Sequence, residues 1–171
     1  KGIIRLLKVM LEKENGNWDK VKEQNDEDKA GAGFTGRKIK AYDKLELTDE
    51  QQKVLDALRQ NCVEETLWSA IAAFQNYPFR TSSGLPYQYK LKIGKDGTYN
   101  KELLIDRREN SKTLSWSSIK MAFQNCRQIS GIVKRPKALG DIRGISYIYP
   151  LFWKFGLIEV PEEIAKKMGG E

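Results

Sequence analysis

Alternating apolar and polar side chains between positions 87 and 105 predict a β-hairpin. From position 87 to 93 the odd positions hold Tyr, Tyr, Leu and Ile, and the even positions hold Gln and Lys. A period of two puts apolar side chains on one face of a strand and polar ones on the other. After a turn, the odd positions 99, 103 and 105 are apolar again, and Lys101 interrupts the row.

The turn predicts the register of this hairpin. A two-residue loop would set the odd face of one strand against the even face of the other. A three-residue loop, Lys95-Asp96-Gly97, keeps odd opposite odd and is a known hairpin type, a type I turn followed by a left-handed glycine. The expected pairs are Ile93 with Tyr99, Tyr89 with Leu103 and Tyr87 with Ile105. The same register places Lys90 opposite Glu102, a favourable cross-strand charge pair.

A helical pattern follows the hairpin directly. Five apolar residues at helical spacing predict a helix over residues 115–127 that lies on the apolar face of the hairpin. Thr113 or Ser115 is placed to cap its first turn by accepting a bond from a free backbone amide. The apolar stripe consists of Trp116, Ile119, Ala122, Phe123 and Cys126.

Two further helices are predicted before the hairpin. Thr48 and Gln51 form a capping box that starts a helix over residues 48–61. A second helix is expected over residues 64–76. Two helices followed by a basic hairpin is the order seen in winged-helix DNA-binding domains. The second helix, however, starts with two glutamates and contains no Lys or Arg to contact phosphate.

The region from position 145 to 158 is the most aromatic stretch of the chain. Pro150 is expected to start a short helix there and Gly156 to end it. Core packing is the main interpretation, and an exposed platform that stacks nucleic-acid bases is the alternative. Pro161 is expected to open a last short helix. The aromatic residues are Tyr147, Tyr149, Phe152, Trp153 and Phe155.

These elements predict an α+β fold in which helices pack around a small antiparallel hairpin or sheet. We expect one globular domain over residues 45–171. Residues 1–44 are expected to form an N-terminal amphipathic helix and a flexible, charged, glycine-rich linker. The linker contains GxGxxG at residues 31–36, but no apolar strand precedes it, so a dinucleotide-binding loop is not predicted.

Charge is concentrated in one part of the sequence. The chain carries a net charge of +7. Residues 77–145 hold 14 Lys and Arg against 5 Asp and Glu, a net of +9, whereas residues 1–76 and 146–171 each have a net of −1. The whole excess therefore lies in the hairpin, its helix and the adjoining loops. A concentrated positive region is what a polyanionic partner requires.

The residues that are missing narrow the chemistry. The chain has no His, which excludes His-based metal sites and Ser-His or Cys-His nucleophiles. Its two cysteines, Cys62 and Cys126, form no metal-binding or disulfide pattern. No signal peptide or long uncharged apolar run indicates secretion or a membrane span, so we expect a cytoplasmic protein. No catalytic residue, metal ligand or cofactor is assigned.

The leading hypothesis is a nucleic-acid-binding protein without enzymatic activity, with DNA favoured over RNA as its partner. Lys120, Gln124 and Asn125 are candidate base contacts, and the other residues are candidate phosphate contacts. One alternative is a protein-interaction or regulatory module that uses the N-terminal helix or the aromatic stretch, and a second is a metal-dependent nuclease. The candidate residues are Lys90, Lys92, Arg107, Arg108, Lys120, Gln124, Asn125, Lys134, Arg135, Lys137 and Arg143.

Overall fold

The computed structural model describes residues 45–106 and 112–170. Within them the chain forms five α-helices, one 3-10 helix and a four-stranded antiparallel sheet, which confirms the α+β class. The N-terminal helix and linker expected before residue 45 lie outside the described residues, as do Arg107 and Arg108. The elements are α1 Asp49–Gln60, α2 Glu64–Ala73, β1 Phe79–Arg80, β2 Pro86–Ile93, β3 Tyr99–Asp106, β4 Lys112–Ser115, α3 Trp116–Cys126, the 3-10 helix Pro136–Leu139, α4 Ile145–Lys154 and α5 Glu162–Lys167.

The sheet has the strand order β1-β2-β3-β4 and buries one face against the helices. Along β2, buried and exposed side chains alternate as the period of two predicts. Two tyrosine hydroxyls on the buried face tie the sheet to helices: Tyr89 donates to the Ile71 carbonyl of α2 at 2.7 Å, and Tyr87 donates to the Tyr147 carbonyl of α4 at 2.8 Å. The opposite face, called the outer face below, is covered by none of the described helices.

The hairpin turn is as predicted, but the register of the strands differs from the expected one. Gly97 has a φ of +81°, and its amide donates to the Gly94 carbonyl, closing the three-residue loop. Ile93 pairs with Tyr99 as expected. Beyond them a bulge places two extra residues on β3, so the remaining predicted pairs are wrong. The observed pairs are Leu91 with Leu103, Tyr89 with Ile105, and Lys90 with Leu104.

This bulge preserves the buried face. A shift of two residues leaves each side chain on its original side, since the side-chain period is two. Leu103 and Ile105 therefore stay fully buried, now opposite Leu91 and Tyr89. Glu102 is not opposite Lys90 but forms an ion pair with Lys92 at 2.9 Å.

Lys101, which interrupts the apolar row, is accommodated by two tryptophans. Its ammonium lies 5.5 Å from the ring centroid of Trp68 in α2 and 5.5 Å from that of Trp116 in α3. The two indoles contact each other edge to face at 5.2 Å. Cation–π attraction therefore stabilises a cation at a position where the pattern requires an apolar residue.

The helix starts follow the capping predictions. Thr48 and Gln51 form the capping box of α1, with their reciprocal bonds at 3.1 and 3.2 Å. Ser115 caps α3 by accepting a bond from the Ser118 amide, and the predicted apolar stripe of α3 is buried. Helix α2 ends at Ala73, three residues before the expected end.

Helix α4 begins earlier than predicted. Gly144, with a φ of +81°, is its N-cap, and Pro150 lies inside the helix rather than at its start. A proline there leaves the carbonyl four residues earlier, that of Ser146, without its helical donor. Ser146 is exposed, so water can bond to this carbonyl. Gly156 ends the helix as predicted, because the Leu157 amide donates back to the Phe152 carbonyl at 2.9 Å.

The aromatic stretch belongs to the core, which confirms the main interpretation. Tyr149, Phe152 and Phe155 are almost completely buried, and Tyr147 retains 6% of its exposure. These side chains are not free to stack on nucleic-acid bases. No helix in the described part of the chain combines the length and apolar character needed to cross a membrane.

Candidate nucleic-acid interface

The outer face of the sheet carries the first two candidates. Lys90 and Lys92 are both exposed there, on β2. Lys92 is ion-paired with Glu102, whereas Lys90 has no ion-pair partner among the described residues. Gln88, on the same face, donates to Asp106 at 3.3 Å. The outer face is thus mixed in charge, and Lys90 is its cation available to a phosphate.

The three candidates on α3 differ in their availability. Lys120 is 3.8 Å from a carboxylate oxygen of Glu64 in α2. Gln124 is exposed. The Asn125 side-chain amide donates to the Leu139 carbonyl at 2.7 Å and so joins α3 to the 3-10 helix. Asn125 therefore has a structural contact that competes with the base contact expected of it.

The basic loop after α3 projects its charges from an anchored backbone. Val133 is buried; its amide donates to the Glu159 carbonyl at 2.8 Å, and its own carbonyl accepts from the Tyr149 hydroxyl at 2.6 Å. Lys134 and Arg135 follow at once, both exposed and both without an ion-pair partner in the described part of the chain. Because the Val133 backbone is held from two sides, the chain that carries these two cations leaves the core at a defined place on the surface.

The remaining loop candidates are Lys137 and Arg143. Lys137 is 3.8 Å from Asp141, and both side chains are largely exposed, so this pair is weak. Arg143 lies just before α4 and lines a cavity of about 430 Å³ together with Lys112 at the start of β4. Neither Lys112 nor Arg143 has an ion-pair partner within the described residues. We call this space the cationic cavity.

The structure adds Lys112 to the candidate phosphate contacts, and the sequence alone does not identify this residue. Lys112 lies 31 positions before Arg143, and no spacing rule connects a strand residue with a loop residue at that distance. The signal for their proximity is tertiary: β4 runs beside the start of α4, and a Cβ on Gly144 would lie 2.6 Å from the Leu114 side chain of β4.

A smaller cavity of about 220 Å³ adjoins the same end of α4 and is rich in hydroxyls. We call it the hydroxyl cavity. Thr81, Ser82 and Ser83 line it, together with Ser146 and Tyr147, which also line the cationic cavity. The Thr81 hydroxyl accepts from the Leu85 amide at 3.1 Å and shares a hydrogen bond with Ser83 at 2.9 Å.

The phenols and thiol near these elements are kept neutral by burial. Desolvation raises the pKa of Tyr87, which lines the hydroxyl cavity, well above its ordinary value, and it raises the pKa of Cys126 to about 11. Buried neutral groups of this kind do not supply a base at neutral pH. Among residues 45–106 and 112–170, no three His, Cys, Asp or Glu side chains are grouped closely enough to hold a metal ion.

The candidates do not form a single cluster. Lys90 and Lys92 face away from the helices. Lys120 and Gln124 lie on α3, which packs against β3 and β4. Lys134, Arg135 and Lys137 lie in the loop after α3 and in the 3-10 helix, which packs against α3 and α4. Arg143 and Lys112 line the same cavity at the junction of β4 and α4. Comparison of the chain with protein-family models, with curated proteins and with solved structures found no match.

Proposed function

We propose that this protein binds nucleic acid without catalysing a reaction on it, with duplex DNA as the favoured partner. One observation carries the proposal: six exposed cations between residues 77 and 145 have no ion pair, side-chain hydrogen bond or cation–π contact within the described residues. They are Lys90, Lys95, Lys112, Lys134, Arg135 and Arg143.

The pairing state of these cations matters because of what a phosphate contact replaces. A cation bound to a carboxylate must give up that contact before it meets a phosphate. An unpaired, exposed cation instead exchanges water for phosphate while the nucleic acid releases its counterions, which favours association. The excess of unpaired cations therefore supports polyanion binding more directly than the net charge of the sequence does.

Lys134 and Arg135 are the strongest single contribution to the proposed interface. They directly follow Val133, whose anchored backbone reduces the conformational freedom that is lost on binding. Arginine adds a planar donor pair that matches two phosphate oxygens. Gln124 is the exposed amide on α3 and the candidate for a base contact, since Asn125 already donates to a backbone carbonyl.

The test is fluorescence anisotropy with labelled duplex DNA, single-stranded DNA and RNA at low salt. The variant is Lys134→Glu/Arg135→Glu, and the matched control is Lys166→Glu/Lys167→Glu. The control makes the same change in net charge on α5, outside the basic region. Both pairs of side chains are exposed, so neither variant removes a core contact.

The proposal predicts binding to duplex DNA that the Lys134/Arg135 variant weakens at least about tenfold and the α5 variant weakens much less. Equal losses in the two variants would mean that only net charge matters and would contradict the proposed interface. Absence of binding to all three nucleic acids would overturn the function and favour the protein-interaction alternative.

A further inference from the structure

The cationic cavity has the charge distribution of an anion site. Lys112 and Arg143 come from separate elements and line the same space, and none of the described residues that line it is acidic. Two cations that line one cavity and have no acidic partner among the described residues repel each other, and a bound dianion removes this repulsion. Arginine and lysine together recognise phosphate by a planar donor pair and a point charge.

Ser146 supplies further donors to the same cavity. Ser146 is exposed and lines the cavity. The amides of Tyr147 and Ile148 donate to the Gly144 carbonyl at 2.9 and 3.3 Å, whereas the Ser146 amide has no acceptor in the described part of the chain. The cavity therefore offers two cationic side chains, a hydroxyl and one available backbone amide.

Gly144 determines the shape of the cavity wall at the start of α4. Gly144 has a φ of +81°, which favours glycine, and an added Cβ would lie 2.6 Å from a methyl carbon of Leu114. Helix α4 consequently starts in direct contact with β4, and the Arg143 backbone is held close to the strand that carries Lys112. The two cations are brought together by the fold and not by a flexible loop alone.

The size of the cationic cavity indicates a ligand larger than a bare anion. About 430 Å³ falls within the range of small-molecule sites and exceeds the volume of one phosphate group. The hydroxyl cavity adjoins it through Ser146 and Tyr147, and its Thr81, Ser82 and Ser83 side chains suit the hydroxyls of a sugar. Apolar walls from Ile105 and Leu114 complete the larger cavity.

We propose that the two cavities form one site for a nucleoside phosphate. Lys112, Arg143 and Ser146 hold the phosphate group, and the sugar extends towards Ser82 and Ser83. This inference rests on the proposed function, since a nucleic-acid strand supplies such a phosphate, and a free nucleotide offers the same chemistry. It goes beyond that function by assigning a defined pocket to one phosphate.

The test is calorimetric titration of the full chain with adenosine 5′-monophosphate, with adenosine and with inorganic phosphate. The first variant, Ser146→Asp, puts a carboxylate into the cationic cavity. An acidic residue in the first turn of a helix is favourable, so the variant is expected to fold. Its control is Ser130→Asp, the same charge change at an exposed loop position.

A second pair of variants separates the site from general electrostatics. Lys112→Gln/Arg143→Gln removes both cavity cations, and Lys166→Gln/Lys167→Gln removes the same charge on α5, outside the cavity. The proposal predicts that adenosine 5′-monophosphate binds more tightly than adenosine. We also expect Ser146→Asp and the cavity variant each to weaken this binding at least about tenfold. A loss of about this size corresponds to one charge-assisted hydrogen bond. The two controls should stay within about twofold of the parent protein.

Oligonucleotides with and without a 5′-phosphate distinguish a strand end from a free nucleotide as the source of the phosphate. A preference for the phosphorylated strand that the cavity variant abolishes identifies a strand end. The site is overturned if adenosine and its monophosphate bind equally, or if the cavity variant and its control lose affinity equally. Duplex binding that persists in those cases would leave the proposed function standing without the pocket.

Discussion

Replacing two unpaired cations should change the salt dependence of DNA binding more than replacing two paired ones. The unpaired pair is Lys134 and Arg135. The paired set is Lys92, which is 2.9 Å from Glu102, and Lys120, which is 3.8 Å from Glu64. Substitution by glutamine lowers the net charge equally in both double variants. The two variants differ in whether the lost side chains are ion-paired.

The expected size of the effect follows from counterion release. Each phosphate contact contributes about −0.9 to the slope of log affinity against log salt for duplex DNA, so the loss of two contacts makes the slope shallower by about 1.8. Between about 50 and 200 mM salt, the parent protein should then lose roughly 12-fold more affinity than the Lys134→Gln/Arg135→Gln variant does. The Lys92→Gln/Lys120→Gln variant should keep a slope close to that of the parent.

Anisotropy titrations of one labelled duplex at four salt concentrations measure these slopes for the three proteins. Circular dichroism before and after the series confirms that each variant stays folded. Identical slopes for the two double variants would show that ion pairing has no influence on which cations contact phosphate. The preference for unpaired cations would then be wrong.

Further predictions concern the stability of the fold and the burial of its side chains. Tyr89→Phe removes a buried hydroxyl that donates at 2.7 Å to a carbonyl of α2, and urea unfolding should show a loss of about 1–3 kcal/mol; an unchanged midpoint would contradict this. Gly97→Ala should cost about 1–2 kcal/mol, because its φ is +81° but no atom crowds it. Gly144→Ala should cost at least about 1 kcal/mol more, since its Cβ would also overlap a leucine of β4; equal losses in thermal unfolding would argue against the close approach. Burial holds the Cys126 thiol neutral until the pH approaches its pKa of about 11, so a thiol reagent near pH 8 should label exposed Cys62 alone in the native protein and both cysteines in denaturant. Fast double labelling of the native protein would contradict that burial.

Elements set by local interactions could be predicted from the sequence. The capping box of α1 and the serine cap of α3 act within a few residues, so their signatures locate the helix starts. Gly97 specifies the hairpin turn for the same reason, and Gly156 the end of α4. In each case the deciding hydrogen bonds lie within five positions of the residue that predicts them.

The features that could not be predicted depend on packing between residues far apart in the chain. The bulge in β3 sets Leu103 opposite Leu91, and the turn alone contains no information about it. Lys101 is stabilised by Trp68, which lies 33 positions earlier, and by Trp116, 15 positions later. Pro150 was misplaced because the start of α4 depends on the contact of Gly144 with β4, not on the proline.

The candidate interface was also predicted only in part, because its pairing depends on long-range contacts. Composition identified the basic segment, but which of its cations are already paired depends on the tertiary structure. Lys90 and Lys92 look alike in the sequence, yet Glu102 pairs with Lys92 because the bulge shifts the register. Lys112 had no sequence signal at all, and it joins Arg143 only through the packing of β4 on α4.

The most direct test of the central claim is amide chemical-shift mapping of the ¹⁵N-labelled protein with an unlabelled DNA duplex. We expect shifts concentrated at Lys134 and Arg135 and at the cationic cavity around Lys112 and Arg143, with the amides of α5 unaffected. Shifts confined to other surfaces, or no shifts at low salt, would contradict the proposal that the unpaired cations form a nucleic-acid interface.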